Sequence, residues 1–277
     1  MKLNSLNSSI NQNRLLNRIK ELGQIGRDEE GKLTRVAASE ADKAGRDKVI
    51  HYMKEASLEV VIDRIGNIFG IWSSPDNENK DPVLVGSHID TVINAGIYDG
   101  SYGVISGIEV IKVLKEQGFT PSRPIAVAAF TNEEGIRYQP DMIGSLVYSG
   151  GLSIEEALKT VGTDGTVLGE ELEKIGYAGK KEPGFLQPHA YVELHVEQGP
   201  ILDNINKSIG AVENLQGISW QEITIEGEAN HAGTTPMAMR KDAGQAAARV
   251  ITFLQDRANN SKGNTVATVG CIDFEPD

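Results

Sequence analysis

The sequence predicts an α/β fold: a mixed, mostly parallel sheet flanked by helices, followed by a partial second α/β unit. Three observations carry this expectation. Val83-Leu84-Val85 and the run Pro124 to Phe130 read as short buried strands with a helix candidate between them, a succession that implies parallel pairing. The β-type runs Leu58 to Ile62 and Ile68 to Trp72, separated by Gly66-Asn67, read as a hairpin. From about Ala211 the chain changes character and repeats strand, helix and strand on a smaller scale.

Taken in order, residues Met1 to Asn13 are rich in Asn and Ser. Leu15, Leu16, Ile19 and Leu22 then fall at helical spacing, which predicts an amphipathic helix and not a signal peptide. A polar stretch around Gly26 to Gly31 precedes a second helix, expected from about Ser39 to Ala56, and then the hairpin. Ser73 to Pro82, polar and with prolines at both Pro75 and Pro82, reads as a surface loop. The helix expected from Gly100 to Lys115 rests on Val104, Ile108, Ile111 and Leu114, with Gly118 placed to cap it. Ser153 to Ile175 reads as a polar insertion with two short helices, and Tyr191 to Val196 as a strand carrying His195. The final stretch predicts a strand at Ile218 to Ile225, a helix at Asp242 to Leu254 and a strand at Thr265 to Ile272. The expected division is therefore residues 1–211 and 212–277, the latter too short to complete a two-layer core of its own.

The formal net charge of −12 gives long-range attraction the wrong sign for nucleic acid or an anionic membrane surface. The single cysteine, Cys271, excludes an intramolecular disulfide framework and a cysteine metal knuckle, and permits a reducing compartment. Its setting in an expected strand reads as a small core residue. No run approaches the roughly 18 apolar residues of a membrane span, and the reading is a cytoplasmic enzyme.

Three clusters carry chemistry. His88, Asp90 and Asp99 lie among Gly86, Gly96 and Gly100, and an imidazole with carboxylates suits Zn²⁺ or Mn²⁺. Alone, that cluster reads sooner as a strand-capping histidine with aspartates in turns. Glu133-Glu134 ends an apolar strand, where two adjacent bare charges are costly unless a cation is near. Adjacent residues on an extended chain point oppositely, which would separate a ligand from a base. The third cluster is Glu193 to Pro200: Glu193 and His195 share a strand face, and Gln198 lies in the turn beyond. His51 and His189 stand outside any cluster and read as structural.

Five segments together resemble the ordered motifs of the N-carbamoyl-L-amino-acid hydrolase and allantoate amidohydrolase family. They are Gly86-Ser87-His88-Ile89-Asp90-Thr91, Tyr98-Asp99-Gly100, Asn132-Glu133-Glu134-Gly135, His195-Val196-Glu197-Gln198-Gly199-Pro200 and His231-Ala232-Gly233-Thr234-Thr235-Pro236-Met237. The resemblance implies a zinc-exopeptidase-like catalytic domain, a lid and dimerisation domain, and two divalent metal ions, Zn²⁺ or else Mn²⁺, Co²⁺ or Ni²⁺. It implies that His88 and His195 bind one ion, Glu134 the other, and that Asp99 bridges. Asp90 would accept the second ring N–H of His88 and so fix its tautomer. Glu133 would be the general base for the attacking water. Gln198 and His231 would contact a small carbamoyl or ureido substrate, His231 from the lid and across a homodimer interface.

The resemblance also implies a C-terminal truncation. Members of the family supply a further histidine ligand and carboxylate-gripping lid residues beyond this point, whereas the last histidine here is His231. Weak or absent activity, or a non-catalytic remnant, follows as an expectation. Pro140-Asp141-Met142-Ile143-Gly144-Ser145 after the Glu pair favours the carbamoylases over the allantoate enzymes. Arg240-Lys241-Asp242 reads as a helix start, with a substrate-carboxylate contact from Arg240 as the lesser reading.

Overall fold

In the computed structural model, residues 10–275 are described, and the chain divides into two units, Met1–Ser208 and Ile209–Asp277. The boundary falls a few residues before the one expected from composition. The first residues of the Asn- and Ser-rich stretch lie outside the described residues.

Helix α1 (Gln12–Leu22) is capped by Asn11, whose side chain accepts from the Arg14 amide, and it buries Ile19 and Leu22. Helix α2 (Glu40–Glu55) starts at Ser39, which accepts from the Asp42 amide, and buries Val49, Tyr52 and Met53. Strands β1 (Glu59–Ile62) and β2 (Ile68–Trp72) pair antiparallel as the expected hairpin. Strand β3 (Val83–His88) ends on the histidine, helix α3 (Ser101–Glu116) follows, and β4 (Ile125–Phe130) returns parallel to β3. Helix α4 (Ile143–Tyr148), which the sequence pattern did not reveal, precedes the polar insertion, and the insertion holds the two short helices expected, α5 (Ile154–Ala157) and α6 (Leu168–Lys174). Strand β5 (Ala190–Val192) pairs parallel with β3, and a single turn, α7 (Ile201–Asn204), follows.

The sheet order is β1-β2-β4-β3-β5, with β1/β2 and β2/β4 antiparallel and β4/β3 and β3/β5 parallel. Because strand side chains alternate, the apolar run of β4 serves both faces. Val127 and Ala129 join α1, α2 and α3 in the larger core, which includes Ile19, Val49, Ile68, Val104 and Ile108. Ala126, Ala128 and Phe130 face the other way, with Phe69 and Leu84 and against Phe185 and Tyr148. The carboxyl ends of the parallel strands β3 and β4 deliver His88 and the Thr131–Glu134 turn side by side, where ligands gather in such sheets.

The strand expected over Tyr191 to Val196 is shorter: its ladder stops at Val192, three residues before His195. In the second unit, helix α8 (Ala243–Asn259) starts on Asp242, which accepts from the Gln245 amide. The strands expected at Ile218 to Ile225 and Thr265 to Ile272 are not formed among the described residues. A strand exists only through its ladder, and the sequence alternation here meets no pairing partner; Trp220 and Val266 stay 83% and 81% exposed. Cys271, expected in a core, is exposed, with Sγ 3.3 Å from Asp273 Oδ2. Among the described residues, no helix is long and apolar enough to cross a membrane.

Candidate metal centre

His88 is buried at the end of β3, and its Nδ1 lies 3.0 Å from the backbone oxygen of Asp90. That carbonyl can only accept, so Nδ1 carries the proton and Nε2 presents its lone pair. Nε2 lies 3.3 Å from Glu133 Oε2 and 3.8 Å from Asp99 Oδ1. His195 repeats the arrangement: Nδ1 lies 2.7 Å from the Val196 oxygen, and Nε2 is 3.1 Å from Asp99 Oδ1. Asp99 thus stands between two imidazoles whose free nitrogens both face it. Its other oxygen, Oδ2, accepts from Gln198 Nε2 at 2.7 Å.

The approach of Asp99 depends on Gly100. Its φ is +58°, and a Cβ there would lie 2.5 Å from His88 Nε2. Only glycine admits both that backbone and the ring. On the other side, Asn132, two residues beyond the end of β4, takes φ of +54°. Glu133 and Glu134 therefore sit in a bend and not on an extended strand, and they do not diverge as the sequence suggested. One donor atom from each lies with a His88 nitrogen in a group whose members are all within 4.8 Å of one another, and His88, Asp99 and His195 form a second such group.

Asp90 also differs from expectation. Its carboxylate is 3.8 Å from His88 Nδ1 and instead accepts from the Glu133 and Glu134 amides, at 3.2 Å each. It is Asp90's main-chain oxygen that orients His88, while its side chain shapes the glutamate bend.

A model of peptidase family M28 matches residues 67–180. The chain is 38% identical over 271 residues to an N-carbamoyl-L-amino-acid amidohydrolase of Rhizobium meliloti, covering 98% of this chain and 65% of that protein. It is 35% identical to an allantoate deiminase of Arabidopsis thaliana, covering 96% of this chain and 52% of that one. A solved amidase of the hydantoinase/carbamoylase family from Burkholderia vietnamiensis superposes with a TM-score of 0.84 at 34% identity, over 97% of this chain and 65% of the other. The chain belongs to the N-carbamoyl-L-amino-acid hydrolase and allantoate amidohydrolase family. It spans about two thirds of the length of the carbamoylase relative and about half of the plant one.

The electrostatics of this cluster favour a cation. Burial, reinforced by the charges of Asp99, Glu133 and Asp90 and opposed by His88, pushes Glu134 up to about 7. Burial raises Glu133 and Asp90 as well. Burial works against a charge on His88, yet Asp90, Glu133, Glu134 and Asp99 together raise its pKa. Glu134 Oε1 is buried without a hydrogen-bond partner. Crowded carboxylates, an orphaned carboxylate oxygen and two imidazole lone pairs make a donor set that fits a divalent cation, which would let the acids ionise together.

His231 belongs to the second unit and is exposed. Its Nδ1 accepts from the Gly233 and Thr234 amides at 3.0 and 3.2 Å, so the ring proton resides on Nε2. Arg240 donates to the Thr235 and Ala232 oxygens at 3.0 and 2.5 Å and so clamps this loop. His51 is an exposed neighbour of Glu55. Sequence reasoning missed Arg35, which is buried and donates to the oxygens of Ile89, Leu22 and Ile25, fixing the chain just after His88. A lone arginine in a polar stretch carries no signal for that role.

Proposed function

We propose that this chain carries the metal-binding portion of an amidohydrolase that cleaves the carbamoyl C–N bond of N-carbamoyl-L-amino acids. The observation that carries the reading is the pair of Nδ1-anchored imidazoles facing Asp99 beside the Glu133-Glu134 bend. In this reading His88, Asp99, His195 and Glu134 hold two divalent ions, which when bound polarise the scissile carbonyl and lower the pKa of a water towards ~7. Zn²⁺ and Mn²⁺ both suit such nitrogen and carboxylate donors.

Glu133 takes the proton from the attacking water and delivers it to the leaving nitrogen. Burial raises its pKa, which brings it nearer to the range where a carboxylate both accepts and returns a proton at neutral pH. Asp90 keeps Glu133 and Glu134 in register through its two amide contacts. Gln198, held on Asp99, lies within reach of a substrate at this site. His231 offers an Nε2–H, the donor that a developing oxyanion requires. Allantoate is the second substrate reading, favoured by the 35% identity to the Arabidopsis thaliana allantoate deiminase. A soluble, cytoplasmic setting and a homodimer of the whole protein complete the proposal.

The test is metal content per chain with hydrolysis of N-carbamoyl-L-methionine and of allantoate, for this chain and its Glu133→Gln variant. Two ions per chain are expected, with turnover lost by roughly 10²–10⁴-fold in the variant while metal is retained. Turnover of only one of the two compounds names the substrate. Absence of bound metal overturns the reading, and metal without turnover supports the remnant alternative.

A further inference from the structure

We propose that Glu193 is a positioning residue that latches the segment bearing His195 onto the end of β3 and so sets the spacing of the two imidazoles. The proposal rests on the metal-centre reading above. The β3/β5 register pairs Val83 with Ala190, Leu84 with Tyr191 and Val85 with Val192, and the ladder ends there. Continued by the same register, it would set Gly86 beside Glu193 and His88 beside His195. The observed His88 and His195 ring centroids lie 6.4 Å apart, so the chain keeps its alignment after the backbone ladder has stopped.

Side chains replace the ladder over this gap. Glu193 Oε1 accepts from Ser87 Oγ at 2.5 Å, one residue before His88, and Glu193 Oε2 accepts from Tyr191 Oη at 2.8 Å. Tyr191 Oη also lies 3.2 Å from the Gly86 oxygen. Both carboxylate oxygens are therefore engaged on β3 and β5, and Glu193 belongs to neither donor group. Beneath it, Gly103 of α3 lets the Leu194 oxygen approach so closely that a Cβ would lie 2.7 Å away. The segment is held at its edge by Glu193 and from below by α3, and His195 projects from it towards Asp99.

The experiment is Mn²⁺ titration of the metal-stripped 277-residue chain by calorimetry, with thermal unfolding of each metal-free variant. Glu193→Ala and Ser87→Ala should each weaken binding by about three- to tenfold, the range of one or two lost hydrogen bonds. The double variant should bind no more weakly than Glu193→Ala alone, because the two residues act through one contact. Glu193→Gln should restore most of the affinity, since the amide oxygen still accepts from one hydroxyl while the other hydroxyl turns to accept from the amide nitrogen.

A direct ligand would behave otherwise: Glu193→Gln as damaging as Glu193→Ala, with Ser87→Ala silent, overturns the latch. Unchanged affinity in Glu193→Ala overturns it too. If Glu193→Ala does not fold, Ser87→Ala against Glu193→Gln decides. A wild-type chain that binds no Mn²⁺ overturns the metal-centre reading and this one with it, whereas wild-type binding with indifferent variants overturns the latch alone.

Discussion

At the scale of single residues, the candidate site depends on positions where a side chain is forbidden as much as on those where one is required. Gly100 is the sharpest case. An alanine there would hold a methyl carbon 2.5 Å from His88 Nε2 at a φ of +58°, in the region where the lone pair must meet an ion. The backbone strain alone costs about 1–3 kcal/mol, which a unit of this size can absorb. Gly100→Ala is therefore expected to fold yet bind divalent metal at least tenfold more weakly, read by calorimetric titration; unchanged affinity would show that His88 Nε2 is not a ligand atom. Asp63 makes a different single-residue prediction. Burial pushes its carboxyl up to about 7, against the hydrogen bonds donated by Asn67. Below about pH 4 the group is protonated in folded and unfolded chains alike, so its contribution is then fully present. As pH rises towards 7 the unfolded chain ionises first, and stability falls until the folded pKa is passed. The metal-free protein should lose stability across that window by urea denaturation, while Asp63→Asn, which cannot ionise, should show a flatter profile; parallel profiles would refute the assignment.

At the scale of elements, polar anchors fix how helices meet the sheet. Arg46 on α2 pairs with Asp42 at 2.7 Å, both fully buried, and donates to the Gly66 oxygen and to Thr131 Oγ1. One guanidinium thus ties a helix to the β1/β2 turn and to the residue that opens the Thr131–Glu134 bend. Arg46→Leu leaves the Asp42 carboxylate buried without its cation and should destabilise by about 3–5 kcal/mol, measured as a lowered urea midpoint. A loss under about 1 kcal/mol would mean that water replaces the contact. None of this was legible in the sequence, because a buried arginine in an amphipathic helix looks like any surface charge. What was legible were the elements themselves. The spacing of Val104, Ile108 and Ile111 marked α3, and the Gly66-Asn67 turn marked the hairpin, since helical and strand periods are local properties. His88 at a strand end and the Glu133-Glu134 pair were likewise visible as residue types in place. The bend at Asn132, the capture of Asp90 by two amides and the short β5 were not, because each depends on contacts between distant segments. In the second unit the alternation over Ile218 to Ile225 was real, but alternation alone does not make a strand without a neighbour.

At the scale of the whole molecule, the candidate centre collects donors from four places in one unit: the end of β3, the turn before α3, the bend after β4 and the extension of β5. His88 and His195 are held on chain that must be folded for their nitrogens to converge on Asp99. Without a cation the same assembly concentrates carboxylates that burial already resists ionising, as the raised pKa values of Glu133 and Glu134 show. The proposed metal binding is therefore linked to folding of the first unit, because the unfolded chain offers no such arrangement. Ligand at a hundredfold over its dissociation constant stabilises a folded unit by about 2.7 kcal/mol per site. For a unit of about 200 residues that corresponds to a rise in Tm of roughly 5–10 °C. The second unit carries none of these donors and should not share the shift. Hydrogen exchange followed by mass spectrometry separates the two. Added Mn²⁺ should slow exchange in β3, β4 and the Thr131–Glu134 bend and leave α8 unaffected, with EDTA reversing the effect. A Tm that does not respond to metal, or protection gained equally in α8, would mean that the convergence of His88, Asp99, His195 and Glu134 does not act as a metal centre in this chain.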